Sequence, residues 1–306
     1  MTALVTGGAG FIGSHLVDAL ASRGDRVRVF DDLSTGKREN LRPDADLVQA
    51  SVVDRAALDA AMKGVDVVYH LAAVVSVIQC LKDPVGTNEV NVTGTARVLH
   101  AAAAAGVRRV VFASSAAVYG DTPVQPKRED HPPDPLSPYA VAKLAGERLG
   151  TTIPGVEFVA LRFFNVYGPR QSPDSQYSAV IPIFLRELEA GRPLPIFGDG
   201  GQTRDFTFVK DVVTGLMLAG EAPGAGGEVF NLATGRAVSV TDMAHALGRA
   251  ASRPVELEFR PPRAGEILHS LADVDAARRK LSFKARVPLD EGLAEAVRWF
   301  RGRRGE

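Results

Sequence analysis

Two side chains suited to moving a proton, Tyr139 and Lys143, lie four residues apart in this chain of 306 residues. Ser137 and Pro138 introduce a helix directly before them, and residues four apart on a helix share one face. An ammonium beside a phenol favours the phenolate, and moving a tyrosine pKa from about 10 to about 7 requires about 4 kcal/mol. The pair could therefore act as a general base, with Lys143 lowering the pKa of Tyr139. The same spacing also occurs on ordinary surface helices.

Two hydroxyl groups add to this candidate site. Ser114 and Ser115 directly follow a buried strand predicted over 109–113. In an open α/β sheet, the carboxyl end of a strand faces the crevice in which ligands bind. We therefore expect these serines to lie beside Tyr139.

A glycine-rich loop at 7–13, with the sequence GGAGFIG, follows the first predicted strand and opens a helix. The missing side chains allow a tight turn and a close approach of the backbone to a pyrophosphate at the positive end of the helix. The second strand ends at Asp31 and Asp32, where a carboxylate accepts hydrogen bonds from ribose hydroxyls and repels a 2′-phosphate. The pattern predicts NAD rather than NADP, the alternative being a glycine turn without a ligand.

Short apolar runs alternate with helical patterns along the first half of the chain. Strands are predicted over 3–5, 26–30, 65–70, 109–113 and 158–163, and helices over 13–22, 55–62, 84–105 and 137–149. This alternation indicates an α/β fold with a Rossmann-like doubly wound parallel sheet. After Tyr167, proline and glycine become frequent, which indicates a smaller C-terminal substrate-binding domain. We predict a dinucleotide-binding domain over 1–166, with part of about 205–235 returning to it, and a substrate-binding domain over 167–204 and 236–306.

The composition narrows the class of ligand. Lys plus Arg and Asp plus Glu number 36 each, so no basic field favours nucleic acid or a membrane surface. The single cysteine, Cys80, offers no disulfide framework and no cysteine cluster for zinc, as is typical of the reducing cytoplasm. The sequence shows no signal peptide and no apolar run of membrane-spanning length. We expect a cytoplasmic protein that binds a small molecule and no metal.

The glycine loop, Ser115, Tyr139 and Lys143, in this order, resemble the extended short-chain dehydrogenase/reductase superfamily, and within it the UDP-glucose 4-epimerases. Further stretches carry this resemblance over nearly the whole chain: 31–36, 70–73, 91–95, 114–120, 162–170, 204–206 and 263–266. The resemblance implies an NAD-dependent enzyme that acts on a UDP-sugar. It also implies a homodimer joined through the helices near 84–105 and 137–149, the alternative being that their apolar faces are buried within one chain.

The resemblance implies a role for each catalytic residue. Tyr139 would remove the proton from the sugar 4-hydroxyl, and Ser115 would hydrogen-bond that oxygen. Lys143 would hold the nicotinamide ribose and, together with the positive nicotinium ring, lower the pKa of Tyr139. Hydride would leave C4, giving a 4-keto sugar that rotates in the site, and would return to the other face. The implied activity is 4-epimerisation of UDP-glucose and UDP-galactose, and also of the N-acetylated pair.

The resemblance also implies which residues contact the cofactor and the substrate. NAD is expected to contact Gly7, Gly10, Phe11, Ile12, Gly13, Asp31, Asp32, Leu33, Thr35, Gly36, Ser51, Val52, Leu71, Ala72, Ala73, Asn91, Ser114, Tyr139, Lys143 and Phe164. The UDP-sugar is expected to contact Val75, Ser115, Ala116, Tyr139, Asn165, Ala179, Val180, Pro195, Phe197, Arg204, Arg263, Glu266 and Ser270.

Particular positions in these sets have assigned tasks. Asn165, Arg204 and Arg263 match positions that hold the diphosphate, where a guanidinium donates two parallel hydrogen bonds. Pro195 and Phe197 match a uracil-binding segment, with strand core as their alternative role. The chain departs from the family at Ala50-Ser51, where Gly-Asp is common and the acid contacts adenine; weaker NAD binding is the expected consequence.

Other reactions and substrates stay open at this point. Related dehydratases and decarboxylases carry an acid in the segment matching 115–117, whereas Ala116 and Ala117 stand here, which disfavours elimination. A non-catalytic NAD-binding regulator can lose the tyrosine or lysine, and this chain keeps both. Ser270 is small enough to admit an N-acetyl group, unless its hydroxyl only caps local backbone. UDP-glucuronate needs a cation or several hydrogen-bond donors at its carboxylate, and no motif places Arg170 or Arg186, the candidate cations, at C6 of the sugar.

Overall fold

The computed structural model describes residues 1–172, 180–262 and 267–302. Its strands, in chain order from β1 to β14, are Thr2–Thr6, Arg26–Phe30, Asp46–Val48, Val67–His70, Arg109–Ser115, Glu157–Phe163, Asn165–Tyr167, Leu194–Phe197, Thr203–Arg204, Phe206–Phe208, Val229–Leu232, Val238–Ser239, Leu257–Arg260 and His269–Ser270. Its helices, from α1 to α11, are Phe11–Ser22, Arg55–Ala61, Val77–Lys82, Pro84–Asn88, Gly94–Ala104, Pro138–Thr152, Val180–Glu189, Val209–Glu221, Val240–Ala251, Asp275–Leu281 and Leu289–Gly302.

The main sheet has seven strands in the order β11-β6-β5-β4-β1-β2-β3, and every neighbouring pair is parallel. The order reverses between β1 and β4, so a crevice opens at the carboxyl ends of these two strands. The predicted doubly wound α/β fold and its five predicted strands are confirmed. The edge strands β3 and β11 complete the sheet.

Apolar side chains cover both faces of this sheet, as a buried parallel sheet requires. One face packs against α1, α8 and α10, and the other packs against α2 and α5. A second core lies among α7, α9 and α11. Ile12 and Val166 pack against this core and also against the core that the sheet forms with α1, α8 and α10. The two proposed domains therefore share an apolar contact, and their limits stay a prediction.

One predicted helix differs from the structure. The pattern over 84–105 predicted a single helix, but a π-helical segment at Glu89–Thr93 interrupts it between α4 and α5. A π-helical turn is often found at a functional site, and Asn91 lies within this one. Apolar periodicity does not reveal the one-residue change in hydrogen bonding, so this segment could not be predicted from the sequence. Within the described ranges, no helix is long and apolar enough to cross a membrane.

Candidate active site

The glycine loop places the start of α1 directly against the end of β1. Gly7 has φ +68°, and a Cβ on Gly13 would lie 2.1 Å from the Gly7 carbonyl oxygen, so neither position admits a side chain without strain. Gly10 caps α1 without a side-chain hydrogen bond, and the first turn holds no acidic residue. Its free N–H groups and the helix dipole therefore favour an anion, which fits the pyrophosphate of NAD.

Two other helices of this sheet begin with a side-chain cap, whereas α8 and α10 have no such cap but carry an acidic residue in the first turn. The Asp54 side chain caps α2 by accepting a hydrogen bond from Ala57 N–H, and the Ser137 side chain caps α6 by accepting one from Ala140 N–H. These caps satisfy free donors that α1 leaves available. The contrast supports assignment of the phosphate site to α1.

Asp31, to which the sequence assigns the ribose contact, and Asp32 differ in how their side chains are bonded in the structure. Asp31 accepts hydrogen bonds from Ala9 N–H at 2.9 Å and Leu33 N–H at 2.8 Å, and its burial raises the pKa of its carboxyl group. Each carboxylate oxygen keeps acceptor capacity for a ribose hydroxyl. Asp32 instead accepts from the Ser34 amide at 2.9 Å and hydroxyl at 2.6 Å. Asp31 is therefore the better candidate for the ribose contact.

The expected catalytic groups lie at the carboxyl edge of β5. Lys143 Nζ donates to the Ala113 carbonyl at 2.7 Å and lies 5.8 Å from the centre of the Tyr139 ring. A hydrogen bond joins the side chains of Tyr139 and Ser115. Ser115 Oγ also accepts from Ala117 N–H at 3.1 Å, which orients the hydroxyl at the edge of the sheet. The structure thus brings Ser115, Tyr139 and Lys143 together.

The electrostatics of the protein alone do not yet give a phenolate. Burial raises the pKa of Tyr139 to about 12, and the hydrogen bond with Ser115 offsets only part of this effect. Burial lowers the pKa of Lys143 to about 8, against the opposing charge of Glu147. The protein alone therefore leaves Tyr139 as a phenol, in keeping with the expectation that Lys143 and the nicotinium ring lower its pKa together.

A chain of buried hydrogen bonds, which sequence reasoning missed, joins β1, β4 and α5. Thr95 Oγ1 donates to the Asn91 carbonyl at 2.7 Å, so the same oxygen accepts from His70 Nε2–H at 3.0 Å. The other ring nitrogen, Nδ1, then accepts from the Thr6 hydroxyl at 2.7 Å. Burial, with the nearby charge of Lys143, lowers the pKa of His70 to about 3, so the ring is neutral and these directions are fixed.

Asn91 extends this chain to the loop after β4. Its Oδ1 accepts from Val74 N–H at 2.8 Å, and its Nδ2 donates to the Val74 carbonyl at 2.9 Å. The Thr6 hydroxyl also accepts from Ala72 N–H at 3.3 Å, and a Cβ on Gly7 would lie 2.7 Å from that nitrogen. Asn91 therefore holds the loop beside the glycine turn, and its expected contact with NAD stays a prediction.

Strand pairing brings other expected substrate residues together. Arg204 in β9 is the register partner of Ser270 in β14, and Arg204 Nη1 donates to the Leu268 carbonyl at 3.2 Å. Asn165 begins β7 and pairs with Phe206 in β10. Phe206 is two residues after Arg204 in the chain. The diphosphate candidates Asn165 and Arg204 lie in different small sheets, but Asn165 N–H donates to the carbonyl of Asp205, the residue after Arg204, at 3.1 Å.

The remaining expected contacts have various positions. Pro195 and Phe197 lie in β8, paired with β13, and Val180 begins α7. Ser114 donates its hydroxyl to Glu147, so this group is already engaged. Loops and short segments that follow the strands β2 to β6 contain Thr35, Gly36, Ser51, Val52, Leu71, Ala73, Val75, Ala116 and Phe164. Ala179, Arg263 and Glu266 lie outside the described residues.

Neither arginine considered for a substrate carboxylate is free of an ion pair. Arg170 lies 2.7 Å from a carboxylate oxygen of Asp18, and Arg186 lies 2.9 Å from one of Glu187. In the parts of the chain that the structure covers, no three His, Cys, Asp or Glu side chains form a cluster that could hold a metal ion.

Comparison with known proteins agrees with this geometry. Residues 3–233 match the sequence model of the NAD-dependent epimerase/dehydratase family. The chain is 42% identical to a UDP-glucose 4-epimerase of Mycolicibacterium smegmatis, over 99% of both chains. It is 36% identical, with a TM-score of 0.94, to a UDP-N-acetylglucosamine 4-epimerase from Methanobrevibacter ruminantium, covering 99% of this chain and 98% of that one.

A third similar protein has been solved with its cofactor. It is a UDP-glucuronic acid 4-epimerase from Bacillus cereus in complex with UDP-glucuronic acid and NAD, 32% identical with a TM-score of 0.91. The match covers 99% of this chain and 100% of the Bacillus cereus chain. The resemblance to the extended short-chain dehydrogenases and the prediction of NAD are confirmed. The chain belongs to the NAD-dependent epimerase/dehydratase family and is an NAD-dependent enzyme.

Proposed function

We propose that this enzyme inverts C4 of UDP-hexoses, interconverting UDP-glucose and UDP-galactose as well as their N-acetylated counterparts. The observation that carries the proposal is the meeting of Ser115, Tyr139 and Lys143 at the crevice beside the uncapped start of α1. A sugar hydroxyl, a hydride acceptor and a diphosphate can be held together there. The names of the similar epimerases support the same reaction.

Each side chain has one task in this reaction. Ser115 hydrogen-bonds the sugar 4-oxygen, and Tyr139 takes its proton and later returns it. Lys143, fixed by the Ala113 carbonyl, provides positive charge beside the phenol and binds the ribose hydroxyls. NAD, when bound, would supply the hydride acceptor and donor that C4 needs. Because the phenol has a pKa of about 12 in the protein alone, proton removal depends on the assembled site.

The surroundings of the trio favour epimerisation over elimination. The segment Ala116–Tyr119, directly after Ser115, contains no acidic side chain to move a second proton. A neutral sugar is preferred to UDP-glucuronate because no motif places a cation at C6 of the sugar. Arg170 and Arg186 are each paired with a carboxylate, and Nη1 of Arg170 is buried without a hydrogen-bond partner in the described part of the chain. UDP-glucuronate remains the second candidate, since the similar Bacillus cereus enzyme binds it.

Incubation with UDP-glucose, UDP-N-acetylglucosamine and UDP-glucuronate, with products identified by proton NMR, tests this function. We expect conversion of the first two to their C4 epimers without added NAD, and release of NAD when the protein is denatured. Conversion of UDP-glucuronate alone would contradict the choice of sugar and leave the C4 mechanism in place. Failure to convert any UDP-sugar would contradict the proposed activity.

An apolar surface supports a homodimer. Val77, Ile78 and Leu81 on α3, Val85 on α4 and Val141 on α6 are all exposed, and Leu81 and Val85 are 61% and 79% exposed. We propose that a second copy of this chain covers these helices, because an apolar patch of this kind rarely faces water. Analytical ultracentrifugation should give a dimer, and Leu81→Asp should weaken it. A wild-type monomer at micromolar concentration would contradict the proposal.

The cysteine content supports a cytoplasmic location. Cys80 is a buried free thiol. A lone reduced cysteine is stable in a reducing compartment, where disulfides do not form. We therefore propose the cytoplasm as the place of action, to be tested by cell fractionation.

A further inference from the structure

A buried ion pair lies one helical turn beyond Lys143. Arg162 in β6 donates to both carboxylate oxygens of Glu147 in α6, from Nε at 3.0 Å and from Nη2 at 2.8 Å. Both side chains are 5% exposed. A two-point bond of this kind fixes the orientation as well as the distance of its partners.

Glu147 has a third partner in the neighbouring strand. Ser114 in β5 donates its hydroxyl to Glu147, and Ser114 is the register partner of Arg162. Register partners point to the same face of a sheet, so one carboxylate binds both strands from the helix above them. The next residue in β5 is Ser115, and Lys143 and Tyr139 lie one and two turns earlier on α6.

Arg162 is itself held in place. Its Nη1 donates to the Glu129 carbonyl at 3.3 Å, and its guanidinium carbon lies 4.7 Å from the centre of the Tyr119 ring. The Tyr119 hydroxyl in turn donates to Asn231 Oδ1 at 2.6 Å. These contacts anchor Arg162 in the protein core independently of α6, so its bond to Glu147 ties α6 to a fixed point.

We propose that Glu147 is a positioning residue for catalysis: through Ser114 and Arg162 it fixes α6 in the register that sets Tyr139 against Ser115. This inference rests on the proposed epimerase activity. It assigns to Glu147 no contact with substrate or cofactor.

The charge of Glu147 gives the role a signature beyond stability. The titratable groups that face Lys143 are Tyr139 and Glu147 on its own helix, the Cys80 thiol on α3, and His70 at the end of β4, whose ring is neutral. Burial lowers the pKa of Lys143, and the negative charge of Glu147 raises it in part. Removal of that charge should make Lys143 lose its proton at lower pH, so Tyr139 loses its activating charge there too.

Glu147→Gln keeps the side-chain shape and removes the charge. We expect kcat for UDP-glucose to fall about tenfold or more, KM to stay within about twofold, and the alkaline limb of the kcat–pH profile to move down by about one pH unit. Ser114→Ala, which leaves the ion pair intact, should lower kcat about threefold with a melting temperature near that of the wild type.

Glu157→Gln is the matched control, because Glu157 joins Arg109 across the same two strands at the opposite end of the sheet. It should leave kcat and the pH profile unchanged. If Glu147→Gln and Ser114→Ala keep the wild-type kcat and pH profile, the proposed role is overturned. If Glu147→Gln does not fold, Ser114→Ala decides: reduced kcat with the wild-type content of bound NAD supports the role, and unchanged kcat overturns it. An inactive wild type would overturn the proposed function, and this inference with it.

Discussion

Strands β5 and β6 carry an Arg–Glu pair at each end, and the two pairs differ in what surrounds them. At the amino end, Arg109 donates to Glu157, whose side chain is 50% exposed. At the carboxyl end, Arg162 and Glu147 are both 5% exposed. Water stabilises one partner of the first pair, whereas the second pair depends wholly on its protein contacts.

The two pairs also bind different helices. Arg109 donates to the Ala219 and Ala222 carbonyls at the end of α8, at 2.9 and 2.8 Å, and so caps that helix. Arg162 binds α6, which carries Tyr139 and Lys143. Arg109 and Ser114 are five positions apart in β5, so their side chains point to opposite faces. An Arg–Glu pair therefore terminates a helix at one end of the sheet, and a second Arg–Glu pair aligns the reacting groups at the other end.

The largest expected difference is in stability. Arg162→Met should lower the free energy of unfolding by about 3–5 kcal/mol, because it leaves Glu147 buried without its cation. Arg109→Met should cost only about 1–2 kcal/mol, since Glu157 is half exposed and two helix-end carbonyls lose a donor. Urea unfolding of both variants measures the difference, and equal losses would contradict the contrast between the two ends.

Loss of a phenol hydroxyl should lower the catalytic rate only where the phenol lies beside the carboxyl end of β5. Tyr139→Phe should lower kcat by about two orders of magnitude or more, as removal of a general base does, with UDP-sugar binding largely intact. Tyr69→Phe is the control, because the Tyr69 hydroxyl in β4 is buried without a hydrogen-bond partner in the described structure. Steady-state kinetics compares the two, and near-normal turnover of the Tyr139 variant would remove Tyr139 from the mechanism.

A smaller effect should appear in the pH dependence of stability. Burial lowers the pKa of His70 to about 3, from an ordinary value of 6.5. Between pH 6.5 and about pH 3, the unfolded chain therefore protonates His70 and the folded chain does not. The contribution of His70 to the free energy of unfolding is complete above pH 6.5 and is lost as the pH falls toward about 3. The loss from this residue should reach about 2 kcal/mol near pH 5.

The test of this pH effect compares His70→Asn with His100→Asn, since His100 is exposed on α5. Urea unfolding as a function of pH should give a flatter curve for the His70 variant and the wild-type slope for the His100 variant. An unchanged slope for His70→Asn would show that the ring is not excluded from protonation as proposed.

The smallest expected change concerns substrate choice. Ser270 is 6% exposed and pairs with Arg204, a candidate diphosphate contact. If the side chain borders the sugar pocket, Ser270→Tyr should reduce kcat/KM for UDP-N-acetylglucosamine about tenfold more than for UDP-glucose, through steric exclusion. Ser270→Ala is the control and should spare both. Equal loss for both sugars, with a lowered melting temperature, would place Ser270 in the core instead.

The sequence alone determined the features that depend on residues close together in the chain. A strand, the glycine loop, a helix and Asp31 follow each other within about one βαβ unit, so their order predicts both the fold and the phosphate site. Tyr139 and Lys143 share a helix face for the same local reason. The expected trio with Ser115 required only the strand-end rule for open sheets.

Only the tertiary structure decided contacts that depend on the order of strands in the sheet. Thr6 and His70 are register partners because β4 lies next to β1, and Ser114 meets Arg162 because β6 lies next to β5. Nothing in the local pattern shows that His70 is neutral or that Glu147 pairs with Arg162, since both depend on burial beside side chains distant in sequence. The reacting groups could be predicted from spacing, but the groups that hold them in place required the assembled core.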